Sequence, residues 1–338
     1  MDIFDKTIDC GVNLEPVIDT DECIVFKMTS ESGSGNMVVR KVFDGAFIMH
    51  IDINMKECIS GFRVQDDAEM LSIDHCREGR MEFKDKHGSF SYLQEQEVRI
   101  DTRRNHSGTA FFPLSRYRGI SIGFETERAE HTLKNIFGGF SVDISTLKEK
   151  FCSRDVPYIM KEDYIEHLFS ELYFVPKKIK KDYYKIKTLE LILYLDALQP
   201  YTAKEKHMYF FKEQIEKVKA IEEKITSDLQ VHYNISELAE MYDMSVTSMK
   251  DCFKEVFGDT VYSYLKRYKM NKAAALLADS AKMPITEISG LVGYENASKF
   301  SSAFKSVMGQ TPMEYRKTYH QNGSVLTNRS STDDGTVL

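Results

Sequence analysis

The sequence predicts an α+β protein, in which a β-rich antiparallel sandwich with following helices precedes an all-α domain that carries two helix-turn-helix units. Two observations support this prediction. The period of the apolar residues changes from about two to between three and four along the chain, and a stretch near its end repeats itself. At 338 residues the chain is long enough for about two domains.

Short runs rich in Val, Ile and Phe mark the first part of the chain as strands. The runs are Glu22–Met28, Met37–Val42, Ala46–Ile53, Glu97–Asp101 and Gly119–Glu125. Turn-forming residues separate them at Ser32–Gly35, Asp66-Asp67 and His87-Gly88. Many short strands at this spacing favour an antiparallel sandwich or barrel.

Apolar residues three and four apart predict helices after about residue 128. The helical stretches are Glu130–Phe137, Ser145–Phe151, Tyr164–Phe174 and Tyr183–Leu198. A charged helix at about Tyr209–Ser227 then leads into the final domain. We therefore divide the chain into a β-rich domain (1–127), a helical linker or dimerisation segment (128–219), a double helix-turn-helix domain (220–318) and a disordered tail (319–338). The side chains predicted to form a dimer contact, with intramolecular core as the alternative, are Leu189, Leu191, Ile192 and Leu195.

Composition and cysteine spacing indicate a cytoplasmic protein. The six cysteines are scattered, as expected for free thiols rather than a disulfide framework or a zinc site. The first residues carry several carboxylates instead of the apolar run of a signal peptide, and no stretch is apolar enough to span a membrane.

Charge is distributed unevenly along the chain. Between residues 244 and 320 there are 11 Lys and Arg against seven Asp and Glu, although the whole chain has a net charge of −7. A basic end permits phosphate contacts there, and an acidic remainder limits indiscriminate binding to polyanions.

The last hundred or so residues contain an internal repeat. Ile235–Ala239 matches Ile285–Ser289 at an offset of 50 residues. At an offset of 51, Phe253-Lys254 then matches Phe304-Lys305, and further matches pair Val256, Gly258, Thr260 and Tyr264 with Val307, Gly309, Thr311 and Tyr315. Such a repeat indicates two copies of one structural unit.

Each copy has the parts of a helix-turn-helix. Ser236 and Thr286 are the predicted N-caps of the first helices, whose inward residues are Leu238, Ala239 and Met241, or Ile288, Ser289 and Leu291. Turns follow at Asp243-Met244 and Gly293-Tyr294. Second N-caps at Ser245 and Asn296 open longer helices that pack through Met249, Phe253 and Val256, or Phe300, Phe304 and Val307. Gly258 and Gly309 end these helices.

The polar sides of the second helices are the candidate DNA-binding surface. In the first copy they carry Val246, Thr247, Ser248, Lys250, Asp251 and Lys254. In the second copy they carry Glu295, Asn296, Ser298, Lys299, Ser302 and Lys305. An α-helix fits the major groove of B-DNA, where Asn, Ser and Lys meet base edges and Lys meets phosphates. The alternative is that any one of these polar residues is merely solvated.

A helix over Tyr262–Ala278 is predicted to join the two copies. At roughly 1.5 Å per residue it spans about 25 Å. With its flanking turns it can place the two reading helices about one DNA turn, roughly 34 Å, apart.

Several residues of this region match a known pattern. They are Gly258, Tyr264-Leu265, Ala273, Leu276-Leu277, Ile285–Ile288, Gly293-Tyr294, Phe300-Ser301, Phe304-Lys305 and Gly309–Arg316. With them, residues 220–318 resemble the AraC/XylS family of bacterial transcription regulators. The resemblance implies a seven-helix, two-headed DNA-binding domain that follows an effector-binding or dimerising domain. It also implies promoter DNA and RNA polymerase as partners. Lys269 departs from the family's usual Arg, and Ser289-Gly290 from its small, helix-favouring pair.

The N-terminal half resembles the family only in outline. Strands followed by helices fit a cupin-like sensor, and His75–Phe83 looks like a turn and strand of such domains. No cofactor, metal or enzyme activity is expected, because His50, His75, His87 and His106 are dispersed and no nucleotide or hydrolase motif is present. The alternative is a cupin-like metal enzyme, or a protein-interaction module without a small-molecule effector.

Two further patterns in this half have two interpretations each. Phe111–Arg118 combines aromatics with arginines and suits either an anionic effector pocket or a strand end with a surface turn. Cys76, next to His75, is either a redox or metal sensor or a small buried hydrophobe. Effector residues are not identified.

Overall fold

The computed structural model describes residues 13–20, 22–59, 70–84, 90–102, 109–136, 139–153, 157–200, 212–279 and 282–318. The chain divides into two compact units, Met1–Lys212 and Glu213–Leu338, which are described separately below. The predicted tail and the turns predicted at Asp66-Asp67 and His87-Gly88 lie outside the described residues. None of the helices in these ranges is both long and apolar enough to cross a membrane.

The first unit consists of strands followed by helices. The strands are β1 (Leu14–Thr20), β2 (Cys23–Ser30), β3 (Gly33–Phe43), β4 (Ala46–Asn54), β5 (Glu57–Ile59), β6 (Met70–Lys84), β7 (Phe90–Gln94), β8 (Val98–Asp101), β9 (Thr109–Phe111), β10 (Tyr117–Glu125) and β11 (Tyr158–Met160). The helices are α1 (Thr126–Asn135), α2 (Ile144–Cys152), α3 (Asp163–Leu172) and α4 (Lys180–Ala197). Each strand and helix predicted from hydrophobic periodicity in this unit is confirmed, with ends that differ by a few residues.

The strands form an antiparallel, cupin-like sandwich. One layer has the strand order β1-β2-β3-β4-β10-β6-β8-β11, and β5, β9 and β7 form the second layer with the far half of β6. β6 passes between the layers at a bulge, where Gly79 has a φ of +88°. A Cβ at this glycine would lie 1.9 Å from the carbonyl oxygen of Arg116, so only glycine fits.

Apolar side chains pack on both faces of the first layer. The core between the layers includes Phe26, Met37, Val39, Ile53, Met55, Leu93, Phe112 and Tyr117. The opposite face packs against helices α1–α4 through Ile48, Leu71, Ile73, Ile120, Ile122, Leu147, Ile165 and Phe169. The helices thus cover one face of the sheet and exclude water from it.

Three of the residues predicted to form a dimer contact belong instead to this second core. Leu191, Ile192 and Leu195 have no exposed surface, which confirms the alternative of intramolecular packing. Leu189 is partly buried against the same core. The reason lies in the sheet, which offers α4 an apolar face to cover.

The structure also decides between the two interpretations of Phe111–Arg118 and Cys76. Phe112 and Tyr117 are buried in the inner core, and Arg116 forms ion pairs with Asp52 and Glu78, so the stretch is a strand end and a turn. Cys76 is completely buried, and burial raises the pKa of its thiol well above the ordinary value. A thiol of this kind is a small hydrophobe rather than a nucleophile or sensor.

The second unit is helical throughout its described residues. Its helices are α5 (Lys212–Ser227), α6 (Ile235–Met241), α7 (Val246–Phe257), α8 (Val261–Asp279), α9 (Ile285–Leu291), α10 (Ala297–Met308) and α11 (312–318). The pairs α6/α7 and α9/α10 are the two helix-turn-helix units, and α8 joins them as the sequence predicts. The second pair packs on α8 around Met270, Leu277, Ile288, Phe300 and Phe304.

Candidate nucleic-acid interface

Both helix-turn-helix units turn at a residue with a left-handed backbone. Asp243 has a φ of 49° and Gly293 a φ of 73°. In each copy the next amide donates a hydrogen bond of 2.9 Å back to the first helix, from Met244 to Ala239 and from Tyr294 to Ser289. The two turns therefore have the same geometry, although only one of them contains a glycine.

The N-caps of the first helices differ from the prediction. Asn234 caps α6 in a reciprocal capping box with Glu237, and Pro284 precedes α9, whereas Ser236 and Thr286 are already helical. The sequence signal for the capping box, Asn followed three residues later by Glu, is present at this position.

The inward faces of the first helices also differ from the prediction by one residue. Met241 and Leu291 are about half exposed, while Leu238 and Ile288 are buried as predicted. Val292, four residues after Ile288, is buried in place of Leu291. Because positions four apart share a helix face, this residue completes the apolar face of the short helix.

The second helices begin and end as the sequence predicts. The Ser245 hydroxyl accepts a hydrogen bond from the amide of Ser248, and the Asn296 carboxamide oxygen accepts from the amides of Ser298 and Lys299. Gly258 and Gly309, both with a φ of 76°, end the two helices. Each helix therefore has a capped start and a defined stop.

The exposed face of α7 carries most of the candidate residues of the first copy. Thr247, Lys250 and Lys254 are exposed, whereas Val246 and Ser248 are partly buried. The side-chain nitrogen Nε2 of Gln214, on α5, donates a hydrogen bond of 2.9 Å to the Ser248 hydroxyl. Ser248 is therefore already bonded within the domain.

The exposed face of α10, together with the two residues before the helix, carries all six candidate residues of the second copy. The exposed side chains are Glu295, Asn296, Ser298, Lys299, Ser302 and Lys305. The Asn296 oxygen is engaged in capping, which leaves its amide group to donate. Lys305 lies in the last turn of α10, where a cation is favourable, but Lys299 lies in the first turn, where it is not. Helix stability therefore does not explain Lys299.

A capping interaction at the start of α11 was not predicted from the sequence. Thr311 caps α11, since the Glu314 amide donates to its hydroxyl and the Glu314 carboxylate accepts from the Thr311 amide. This carboxylate has a pKa below its ordinary value because of the bonds from Thr311. The Thr-x-x-Glu spacing is the signal for such a cap. Within the described ranges, no group of three or more His, Cys, Asp or Glu is placed to hold a metal ion.

Comparison with known proteins identifies this part of the chain. A family model described as a helix-turn-helix domain matches residues 238–318. The xylose operon regulatory protein of Escherichia coli K12 is 33% identical over 82 residues, which are 24% of this chain and 21% of that protein. The probable transcriptional regulator LumQ of Photobacterium leiognathi is 27% identical over 111 residues, 32% of this chain and 44% of that protein. The chain spans less than half the length of these relatives.

Residues 238–318 are a helix-turn-helix domain of the AraC type. Among solved structures, the C-terminal domain of the response regulator yesN from Fusobacterium nucleatum is 33% identical, covering 30% of this chain and 95% of that one with a TM-score of 0.27. Apo ToxT from Vibrio cholerae is 14% identical and covers 85% of this chain and 98% of that one, with a TM-score of 0.28.

Lys269 of the AraC-type domain is a packing residue. Its ammonium donates a hydrogen bond of 2.8 Å to the Leu229 carbonyl and lies 5.8 Å from the centre of the Tyr294 ring. Only 6% of the residue is exposed, and burial lowers the pKa of its ammonium. Lys269 therefore connects the joining helix α8 to the turn of the second helix-turn-helix unit and to the segment before α6.

The second departure, Ser289-Gly290, is tolerated for different reasons at its two positions. Ser289 is buried, and its hydroxyl donates a hydrogen bond of 2.8 Å to the Thr286 carbonyl within α9. Gly290 has no atom within 4 Å of where a Cβ would be, so nothing in its surroundings requires glycine.

Proposed function

We propose that the protein is a sequence-specific DNA-binding transcription regulator, an activator, that reads two successive major grooves with the helices at 246–257 and 297–308. The single observation that carries the proposal is the pair of equally capped reading helices, each with an exposed polar face and lysines, within an AraC-type domain. Side chains of these faces suit both kinds of DNA contact, to base edges and to phosphates.

The length of α8 supports two grooves rather than one. Its 19 residues correspond to about 28 Å, close to the roughly 34 Å that separates successive major-groove faces along one side of B-DNA. We therefore propose that both helices bind on one side of the same duplex, with Thr247, Lys250 and Lys254 in one groove and Asn296, Ser298, Lys299 and Ser302 in the next. Val246, Ser248, Glu295 and Lys305 flank these contacts.

Lys299 gives the sharpest test. Lys299→Gln removes a cation from the first turn of α10, so the helix keeps its stability, but one phosphate contact is lost. In fluorescence anisotropy with a footprinted promoter site, the slope of log Kd against log salt concentration should fall by about 0.9. The matched control is Lys224→Gln, which removes an exposed lysine from α5, outside both reading helices. Unchanged binding by Lys299→Gln, or no protected promoter site for the folded protein, contradicts the proposal.

For the first unit we propose a regulatory role, as a sensor of a small-molecule effector and as a site of homodimerisation. The exposed side of α4 supports dimerisation, because Ile186, Leu189 and Leu193 lie three and four residues apart beside Tyr164 and form an apolar groove on the unit. This spacing suits the pairing of two helices from two copies. RNA polymerase is the proposed partner of the DNA-bound activator.

Dimerisation is tested by sedimentation of Ile186→Asp, which should shift the protein toward monomer. Ile179→Asp is the control, since Ile179 is also exposed but does not line the groove. A dimer that survives Ile186→Asp, or a wild-type monomer, contradicts this role. A thermal-shift screen tests for an effector. Stabilisation by a metabolite supports a sensor, whereas bound metal supports a metal enzyme. If neither a metabolite nor a metal binds, the result supports a protein-interaction module.

A further inference from the structure

A basic patch lies on the first unit where β3 meets the start of α4. We define it by Arg40 on β3, Lys177 and Lys178 before α4, and Lys180 and Lys181 in its first turn. Lys177, Lys178 and Lys181 are exposed. Arg40 pairs with Cys23 across β2 and β3, and Glu22, the residue before Cys23, forms an ion pair with Lys181, so the start of α4 lies beside Arg40. Burial, together with Arg40 and Lys177, lowers the pKa of Lys180.

The acidic groups beside the patch pair with only one of its five cations. Glu22 forms an ion pair of 2.5 Å with Lys181, and Asp182 lies 3.5 Å from Lys185, a cation outside the patch. The pKa of Glu22 is lowered mainly by Lys181, with smaller contributions from Lys185 and Lys41. Four of the five patch cations have no ion pair among the described residues.

Stability of the fold does not account for this arrangement. The start of a helix carries a partial positive charge, so Lys180 and Lys181 are less favourable there than acidic residues. Like charges this close repel one another. The chain as a whole has a net charge of −7, so the patch is not part of a generally basic surface. A bound polyanion would relieve this repulsion.

We propose that the basic patch contacts the phosphate backbone of DNA flanking the site held by the AraC-type domain. The inference rests on the proposed function. Because both units belong to one chain, DNA bound by one is present at high local concentration near the other. B-DNA presents one phosphate charge per about 1.7 Å of its length, and lysines contact such a backbone without reading sequence. The patch thus extends the DNA contact beyond the two grooves.

The experiment compares two DNA probes with the full-length protein. One probe contains only the footprinted site, and the other adds 20 base pairs of unrelated sequence at each side. The patch variant is Lys177→Gln/Lys178→Gln/Lys181→Gln. The control variant is Lys27→Gln/Lys84→Gln/Lys134→Gln, which removes the same charge from exposed positions outside the patch. Thermal unfolding of each variant verifies that it is folded.

Wild type and the control variant should bind the long probe more tightly than the short one, and with a steeper salt dependence. The patch variant should lose this gain: on the long probe its salt slope should fall by about 2 to 3, and its affinity at moderate salt by about tenfold. On the short probe all three proteins should bind alike. This result supports the proposal.

Three outcomes overturn it: equal binding of the patch variant and wild type to the long probe, an equal loss on both probes, or an equal loss in the control variant. Binding of the patch to vesicles of anionic phospholipid with no effect of DNA flanks also overturns it, in favour of a membrane surface. Failure of wild type to bind even the short probe contradicts the proposed function instead, so the two failures are distinguishable.

Discussion

His50 shows how the fold controls a single titratable group. Its Nε2 atom lies 3.3 Å from the Leu172 carbonyl oxygen and 3.2 Å from the Tyr184 hydroxyl, between the sheet and the helices. Burial lowers the pKa of this imidazole to about 4, and the nearby cations Lys180 and Arg40 act in the same direction. The folded protein therefore holds His50 neutral at a pH at which an unfolded chain protonates it.

This difference makes stability depend on pH. Below pH 6.5 the unfolded state takes up a proton that the folded state accepts only near pH 4, so stability falls as the pH decreases through this window, by up to about 3 kcal/mol. Urea denaturation of wild type and His50→Gln should show a shallower pH slope for the variant. His167→Gln, at an exposed position, is the control and should keep the wild-type slope. Equal slopes for all three proteins contradict the expectation.

Gly293 and Gly290 offer a matched pair of substitutions in the second helix-turn-helix unit. A Cβ at Gly293 would lie 1.9 Å from the Leu229 carbonyl oxygen, and its φ of 73° is strained for other residues. Gly293→Ala should therefore destabilise the domain by at least about 1 to 3 kcal/mol, the usual cost of a strained backbone conformation alone. Gly290→Ala meets no atom and should stabilise α9 by up to about 1 kcal/mol. Thermal unfolding measures both, and two changes of the same sign contradict this account.

At the scale of elements, the start of α10 combines a helix cap with a proposed DNA contact. Asn296→Ala removes the cap and should destabilise the helix by about 1 kcal/mol. Asn296→Asp keeps an acceptor for the amides of Ser298 and Lys299, so stability should be retained while its charge repels phosphate and weakens DNA binding. Calorimetry and anisotropy separate the two effects. If Asn296→Asp binds DNA as tightly as wild type, Asn296 is a cap alone.

Elements with a regular apolar period were predictable from sequence, and β6 was not predictable in full. Its buried residues include Asp74, Arg80 and Glu82, which a sequence pattern assigns to the surface. In the structure these groups bond to residues of neighbouring strands, for instance Arg80 to Gln94 and Tyr92 to Glu82, both between β6 and β7. Because such partners lie on other strands, no local pattern reveals them.

The candidate site was predictable to a greater extent, because its geometry depends on local signals. Caps and glycines at the ends of α7 and α10 stand within a few residues of the helices they limit. What the sequence could not reveal is which polar side chains the fold already occupies. Ser248 bonded to Gln214 is an example, since its partner lies 34 residues away on α5.

At the scale of the whole molecule, the division into two units predicts how the protein unfolds. Each unit has its own buried core, represented by Phe169 in the first and Phe304 in the second, and both side chains are completely buried. A unit with its own core can unfold by itself. Calorimetry of the full chain should therefore resolve two transitions.

Two core substitutions assign these transitions. Phe169→Ala and Phe304→Ala should each cost about 3 to 5 kcal/mol, but each in its own unit, because a cavity destabilises the core that surrounds it. Phe169→Ala should lower one transition and leave DNA binding at low temperature intact, whereas Phe304→Ala should lower the other and abolish binding when that unit unfolds. If each substitution lowers both transitions equally, the chain unfolds as one cooperative body, and the prediction of two independently unfolding units is wrong.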